Sequence, residues 1–168
     1  MTTSLAMTVI GPDRPGLVRI LSDAVASHGG NWLESRMARM AGQFAGIVRV
    51  ECPASSADAL VSALQALSKE DIIIQVVREE APPAETRRTL TVDVVGNDRP
   101  GIVRDLAAAI ANAGGNVEEL TTGLESAPMS GHPLFRAHGI ISIPENSDAA
   151  DLTTAIENLG SDLSVDIV

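Results

Sequence analysis

The sequence predicts an α+β chain built from two tandem copies of a β-α-β-β-α-β unit, each with an antiparallel sheet and both helices on one face. Three observations predict it. The chain repeats itself at a fixed offset, its hydrophobic period switches between two and about 3.6 in the same order in each copy, and Gly and Pro punctuate both copies at matching places. Residues 11–19 read Gly-Pro-Asp-Arg-Pro-Gly-Leu-Val-Arg and residues 96–104 read Gly-Asn-Asp-Arg-Pro-Gly-Ile-Val-Arg, identical at seven of nine positions. Gly29-Gly30-Asn31 recurs at the same offset of 85 as Gly114-Gly115-Asn116. Two copies this far apart indicate duplicated domains, since solenoids use shorter and more numerous repeats.

Taken in order, Leu5, Met7 and Val9 alternate with Ala6 and Thr8, as Leu90, Val92 and Val94 alternate with Thr91 and Asp93. That period of two is a strand. Asp-Arg-Pro-Gly then opens a helix, with Asp13 or Asp98 expected near the N-cap and proline in the first turn. The helical stripe Leu17, Val18, Leu21, Val25 returns as Ile102, Val103, Leu106, Ile110, and the Gly-Gly pair supplies a left-handed C-terminal cap. A second strand is placed at Asn31 and Asn116 by symmetry, because its alternation is poor. Gly42 gives a tight turn into a third strand, where Phe44, Val48, Val50 and Cys52 share a face answered by Phe135, Gly139, Ile141 and Ile143. The offset has grown to 91 there, so about six residues are inserted in the second hairpin, around Ala127 to Pro133. Pro53 and Pro144 stop the third strands. Second helices carry Leu60, Leu64, Leu67 and Leu152, Ile156, Leu159, the latter capped by Ser147 or Asp148. Last strands carry Ile72, Ile74, Val76 and Leu163, Val165, Ile167.

This order is ferredoxin-like. The boundaries expected are 1–80 for the first domain, 81–87 for a Glu/Pro/Ala linker and 88–168 for the second. Each copy is small for a core of its own. Pairing of copies would cover sheet edges and the sheet face that the helices leave open.

Composition narrows the function classes. There are 22 acidic and 12 basic residues, a net charge of -10, and only one Trp, two Phe and no Tyr. Phosphate neutralisation wants a basic surface and base stacking wants aromatics, so direct nucleic-acid binding is not expected. The acidity is concentrated in residues 85–168, with 13 acidic against 5 basic groups; solvation is the plain account of it. No apolar run reaches the roughly 20 residues of a membrane span, and no signal-peptide pattern opens the chain. With one cysteine, Cys52, a cytoplasmic protein without disulfides is expected.

Between strand and helix, the repeated Gly-x-Asp-Arg-Pro-Gly segment presents free backbone N–H groups and the positive end of a helix dipole, chemistry suited to a carboxylate or phosphate. Gly16 and Gly101 let a ligand approach the backbone. Simple turn and cap roles account for the same residues. Strand, Asp-Arg-Pro-Gly-[Leu/Ile]-Val, helix, Gly-Gly-Asn and a β-β-α-β remainder, found twice, resemble the ACT domain, a small amino-acid-sensing regulatory module. Two such domains at this length resemble the glycine cleavage system transcriptional repressor family.

The resemblance implies ligand binding at interfaces between ACT domains, probed by the loop before the first helix and the Asn opening the second strand. Carried onto this sequence, those residues are Asp13, Gly16, Leu17 and Asn31, and Asp98, Gly101, Ile102 and Asn116. Backbone N–H groups would take the carboxylate of a small amino acid such as glycine or serine, and an Asp or Asn oxygen its ammonium. A homodimer and a partner protein, a transcription factor among the candidates, are implied with it.

The copies differ. Pro12 and Trp32 stand where the second has Asn97 and Val117, and the insertion holds Met129 and His132. Trp32 either walls a pocket or packs in the core. No catalytic constellation is legible. His28, His132 and His138 lack metal-ligand spacing, Cys52 reads as a small buried hydrophobe, and Glu118 and Glu119 point to opposite faces of a strand as surface charges. A non-enzyme with no metal and no cofactor is expected. The alternative to a sensor is a ligand-free dimerisation or scaffold module.

Overall fold

A computed structural model describes residues 1–80, 85–129 and 131–168; residues 81–84 of the expected linker and Ser130 of the insertion lie outside them. The chain divides into two compact units, Met1–Pro82 and Pro83–Val168. The first contains β1 (Thr2–Pro12), α1 (Leu17–Ser27), β2 (Asn31–Met40), β3 (Gln43–Pro53), α2 (Ala57–Gln65) and β4 (Ile73–Arg78). The second contains β5 (Arg87–Asn97), α3 (Ile102–Asn112), β6 (Asn116–Ser126), β7 (Pro133–Pro144), α4 (Ala149–Glu157) and β8 (Ser164–Ile167). Each forms a four-stranded antiparallel sheet, ordered β2-β3-β1-β4 and β6-β7-β5-β8. The α+β reading of two ferredoxin-like units is therefore correct.

Alternation fixes which sheet face meets the helices. Leu5, Met7 and Val9 of β1 and Val48, Val50 and Cys52 of β3 are buried with Leu21 of α1 and Leu60 and Leu64 of α2. Each such side chain withdrawn from water contributes about 1.5–3 kcal/mol. Leu90, Val92 and Val94 meet Leu106, Ile110, Leu152 and Ile156 in the second unit's core. Trp32 packs, half-buried, against the first core. Burial pushes the Cys52 thiol pKa up, as a small inert hydrophobe requires.

The helix ends follow the Gly-Gly expectation. Gly29 and Gly114 sit at φ 69° and 79°, and Gly30 N and Gly115 N donate to Val25 O and Ile110 O at 2.9 Å, closing Schellman caps. The helix starts differ from expectation. Asp13 and Asp98 are not N-caps and the prolines are not in the first helical turn. Gly16 (φ 85°) and Gly101 (φ 84°) are the cap residues, and no side chain caps either helix. Left-handed glycine redirects the chain after the proline, so helical geometry begins only at Leu17 and Ile102. Asp148, by contrast, does cap α4, its Oδ1 accepting from Ala150 N at 2.9 Å. Leu67 and Leu159 lie just past the α-helices they were expected to extend.

The β2–β3 turn places Ala41 and Gly42 at φ 51° and 77°, the two left-handed positions of a type I′ hairpin that favours Asn-Gly. Ala41→Asn is expected to stabilise the first unit by about 1 kcal/mol, seen as a higher urea midpoint by fluorescence of Trp32. A lower midpoint would contradict this account of the turn. Among the described residues no helix is long and apolar enough to cross a membrane.

Candidate functional site

The loop joining β1 to α1 is tied to the hairpin beside it. Asp13 N donates to Gly42 O at 3.0 Å, and Asp98 N donates to Pro133 O at 3.1 Å in the second unit. Leu17 and Ile102 bury their side chains in the cores and so offer a ligand only backbone atoms. No side chain caps α1 or α3, and at the start of α3 Ile102 N donates to Arg99 O at 3.3 Å. A cavity of about 160 Å³ opens there in the first unit, lined by Asp13, Gly16, Leu17 and Phe44 among others. Its counterpart measures about 330 Å³ and is lined by Asp98, Gly101, Ile102, Thr122, Leu124 and Phe135 among others. A larger hollow of about 610 Å³ lies between α3 and α4, walled by Ala108, Ala109, Ala113 and Ala155, and contains none of the expected residues.

Asp13, Gly16 and Leu17 are brought together, as are Asp98, Gly101 and Ile102. The asparagines are elsewhere. Asn31 pairs with Glu51, which pairs with Ser4 at the start of β1, whereas Asp13 follows the far end of that strand. The eight residue steps from Ser4 to Pro12 span about 26 Å in an extended strand. One unit alone therefore cannot close a small ligand between its own loop and its own asparagine.

The two asparagines also differ in their surroundings. Asn31 has no hydrogen-bond partner for its amide among the described residues. Asn116 Nδ2 donates to Glu118 Oε1 at 3.2 Å, and Ser142 Oγ donates to the same oxygen at 2.6 Å. Glu118, exposed as expected, lies where β6 changes register between Val117 and Glu119. Arg87 completes the cluster: Nε donates to Ser142 Oγ at 3.1 Å, and Nη2 to Gly114 O at 2.7 Å and Ser142 O at 2.9 Å. The first unit has Thr2, Leu33 and Glu51 at the equivalent positions and cannot build it.

Hydrogen bonds from Ser142 first, then Asn116, hold the Glu118 carboxyl below the usual glutamate range. A carboxyl with a lowered folded-state pKa stabilises fully above its unfolded value, about 4.3, and loses that contribution as pH falls through the lowered value. Glu118→Gln should therefore flatten the fall in thermal stability below about pH 4.3. Parallel Tm-against-pH curves for wild type and variant would refute the coupling.

The histidines do not converge. His28 Nδ1 lies 2.8 Å from Ala24 O at the end of α1, and His138 Nδ1 lies 2.7 Å from Asp93 Oδ1. Among the described residues no three His, Cys, Asp or Glu side chains are grouped to hold a metal ion.

Residues 3–77 match the family model of the ACT domain. The chain therefore carries an ACT domain in its first unit. Its second unit repeats the first's strand order, loop and helix caps, so both are ACT folds. Across 99% of its length the chain is 30% identical to an unknown protein from Galdieria sulphuraria, 98% of which is covered, with a TM-score of 0.85. It is 26% identical over 164 residues to the glycine cleavage system transcriptional repressor of Escherichia coli (strain K12), spanning 95% of this chain and 85% of that protein. The protein of the same name from Shigella flexneri matches equally.

Sequence reading missed Arg39 and Leu124 beside the two ACT loops, and the Arg87–Ser142–Glu118 cluster. The first pair is legible at the plain offset of 85, ahead of the hairpin insertion. The cluster depends on a strand irregularity that has no sequence mark.

Proposed function

We propose that the chain is an amino-acid-responsive regulatory protein. It binds a small amino acid, glycine or serine among the first candidates, at ACT-domain interfaces, and acts as a homodimer through contacts with a partner protein. The observation that carries this reading is the pair of uncapped helix starts, each opening beside a cavity with an aspartate at its mouth. Separation of loop and asparagine within one unit supports a ligand that needs two domains to be held. Similarity to a transcriptional repressor of the glycine cleavage system supports control of glycine metabolism, with a transcription factor as partner. The net charge of -10 supports action through protein rather than DNA. Such control requires the ligand to bind the partner-bound and free states with different affinity.

Calorimetry against a panel of small amino acids tests the reading. At about 100 times its dissociation constant a ligand adds about 2.7 kcal/mol to stability, so thermal shift gives a second readout. Asn31→Ala is expected to weaken binding roughly tenfold by removing a hydrogen bond to a charged group. Asn116→Ala should cost less, because Glu118 already holds that amide. If nothing in the panel binds, the ligand-free scaffold reading takes over. Salt-sensitive gel shifts with the pure chain would overturn action through protein contacts.

A further inference from the structure

In each unit the helices cover one sheet face, and the two outer faces they leave are chemically unlike. Alternation puts Thr8 and Ile10 of β1, Ala45 and Ile47 of β3, and Ile73, Gln75 and Val77 of β4 on the first unit's outer face. Register joins them into one patch: Ile10 pairs with Ile73 on one side and Ala45 on the other, and Thr8 pairs with Gln75 and Ile47. Ile10, Ile47, Ile73 and Val77 are 44–65% exposed. Together they form an apolar patch on the order of a few hundred Å², the size that marks an interaction site on a soluble protein.

The second unit has Asp93 in place of Thr8, Val95 of Ile10, Arg136 of Ala45, His138 of Ile47, Ser164 of Ile73 and Asp166 of Gln75. Four of these six side chains are titratable, where the first unit has none. Asp93 stands directly across from Asp166, and His138 Nδ1 lies 2.7 Å from Asp93 Oδ1. Covering that face would strip water from a row of charges, a penalty the first face does not carry. Charge also names the occupant. A two-fold contact sets a surface against its own copy, so the surface has to be self-complementary. Neighbouring aspartates would repel their copies, whereas the first unit's face is uncharged at its centre. Arg49, at one end of that face, is held by carboxylates of its own unit: Nε donates to Glu79 Oε2 at 2.9 Å, and Nη1 lies 3.8 Å from Glu34 Oε1. An apolar centre with a polar, internally paired edge is the anatomy of an interface. Its four strands, about 4.8 Å apart and up to about 30 Å long, offer a footprint of about 600 Å² before side-chain relief is counted, near the roughly 800 Å² per partner of a stable complex.

We propose that two copies of the chain pair through the outer sheet faces of their first units, around Ile10, Ile47 and Ile73, while the outer face of each second unit stays in water. The inference rests on the homodimer reading above and gives that dimer its surface; it does not depend on an amino acid being bound.

The test is sedimentation velocity of the full chain, from micromolar to near-millimolar concentration and without added amino acid. The wild type is expected to sediment as a dimer. Ile47→His combined with Ile73→Ser installs the residues that the second unit's sheet carries at the same positions. This double variant should raise the dimer dissociation constant at least about a hundredfold, because two-fold symmetry places each change in the interface twice. Ile47→Asp should leave a monomer throughout the range, and His138→Ala, on the second unit's face, should leave association unchanged. Far-UV circular dichroism and the Trp32 urea midpoint check that the variants are folded. A dimer that persists unweakened in the folded double variant overturns this inference and leaves the homodimer reading standing on another surface. A wild type that is monomeric at every concentration overturns both. If Ile47→Asp does not fold, the double variant keeps the test decisive.

Discussion

Alanine at Gly30 is expected to destabilise the first ACT unit by about 2–3 kcal/mol, more than alanine at its neighbour Gly29. The reason is space. A Cβ on Gly30 would lie 2.7 Å from Val25 Cγ1 and 2.8 Å from Val25 O. That carbonyl is the acceptor of Gly30's own N–H, at 2.9 Å. Making room therefore breaks the helix cap and displaces Val25, a core residue. At Gly29 a Cβ meets nothing closer than Pro53 at 3.6 Å, so only its left-handed φ of 69° opposes alanine, a cost of about 1–2 kcal/mol. Trp32 is the only tryptophan and packs in the first core, so its fluorescence in urea isolates this unit. Equal costs at the two glycines would show that backbone conformation alone explains the motif. Gly115 should behave as Gly30 does, since its Cβ would meet Ile110 Cγ2 at 2.7 Å and Ile110 O at 2.9 Å.

Arg87→Ala should cost the second unit about 2–3 kcal/mol, the loss of several hydrogen bonds to a charged group around one buried polar residue. Ser142 is that residue, 3% exposed. Arg87 bonds its hydroxyl and its carbonyl and also holds Gly114 O at the end of α3. Lysine is not expected to rescue, because an ammonium cannot reproduce the guanidinium fork. The unfolding transition seen by far-UV circular dichroism should split, with the second unit melting earlier and the Trp32 signal unmoved. A shift in the Trp32 transition of the same size would refute the assignment to this unit.

Much of the fold was legible because alternation and helical stripes are local consequences of which face must be dry. Leu5, Met7 and Val9, or Leu152 and Ile156, declare their faces without knowledge of their partners. The helix starts were misread because Asp and Pro have strong average preferences near helix N-termini, and a left-handed glycine after them overrides both. Glu118 is exposed, as expected of a surface charge, but its bonds to Asn116 and Ser142 were not legible, for a related reason. Strict alternation predicts where a side chain points only while register holds, and β6 loses register at that residue.

By itself the sequence determined that the chain is a duplication and which residues form each core, since both follow from periodicity and from what Gly and Pro allow the backbone to do. Tertiary structure decided the rest. Cross-strand register set Arg39 on Asp13 and Leu124 near Asp98, placed Asn31 a sheet's length from its own loop, and enclosed Ser142 between Arg87 and Glu118. Whether a carboxylate is free or paired depends on which distant side chain the fold sets beside it, and no local pattern encodes that distance.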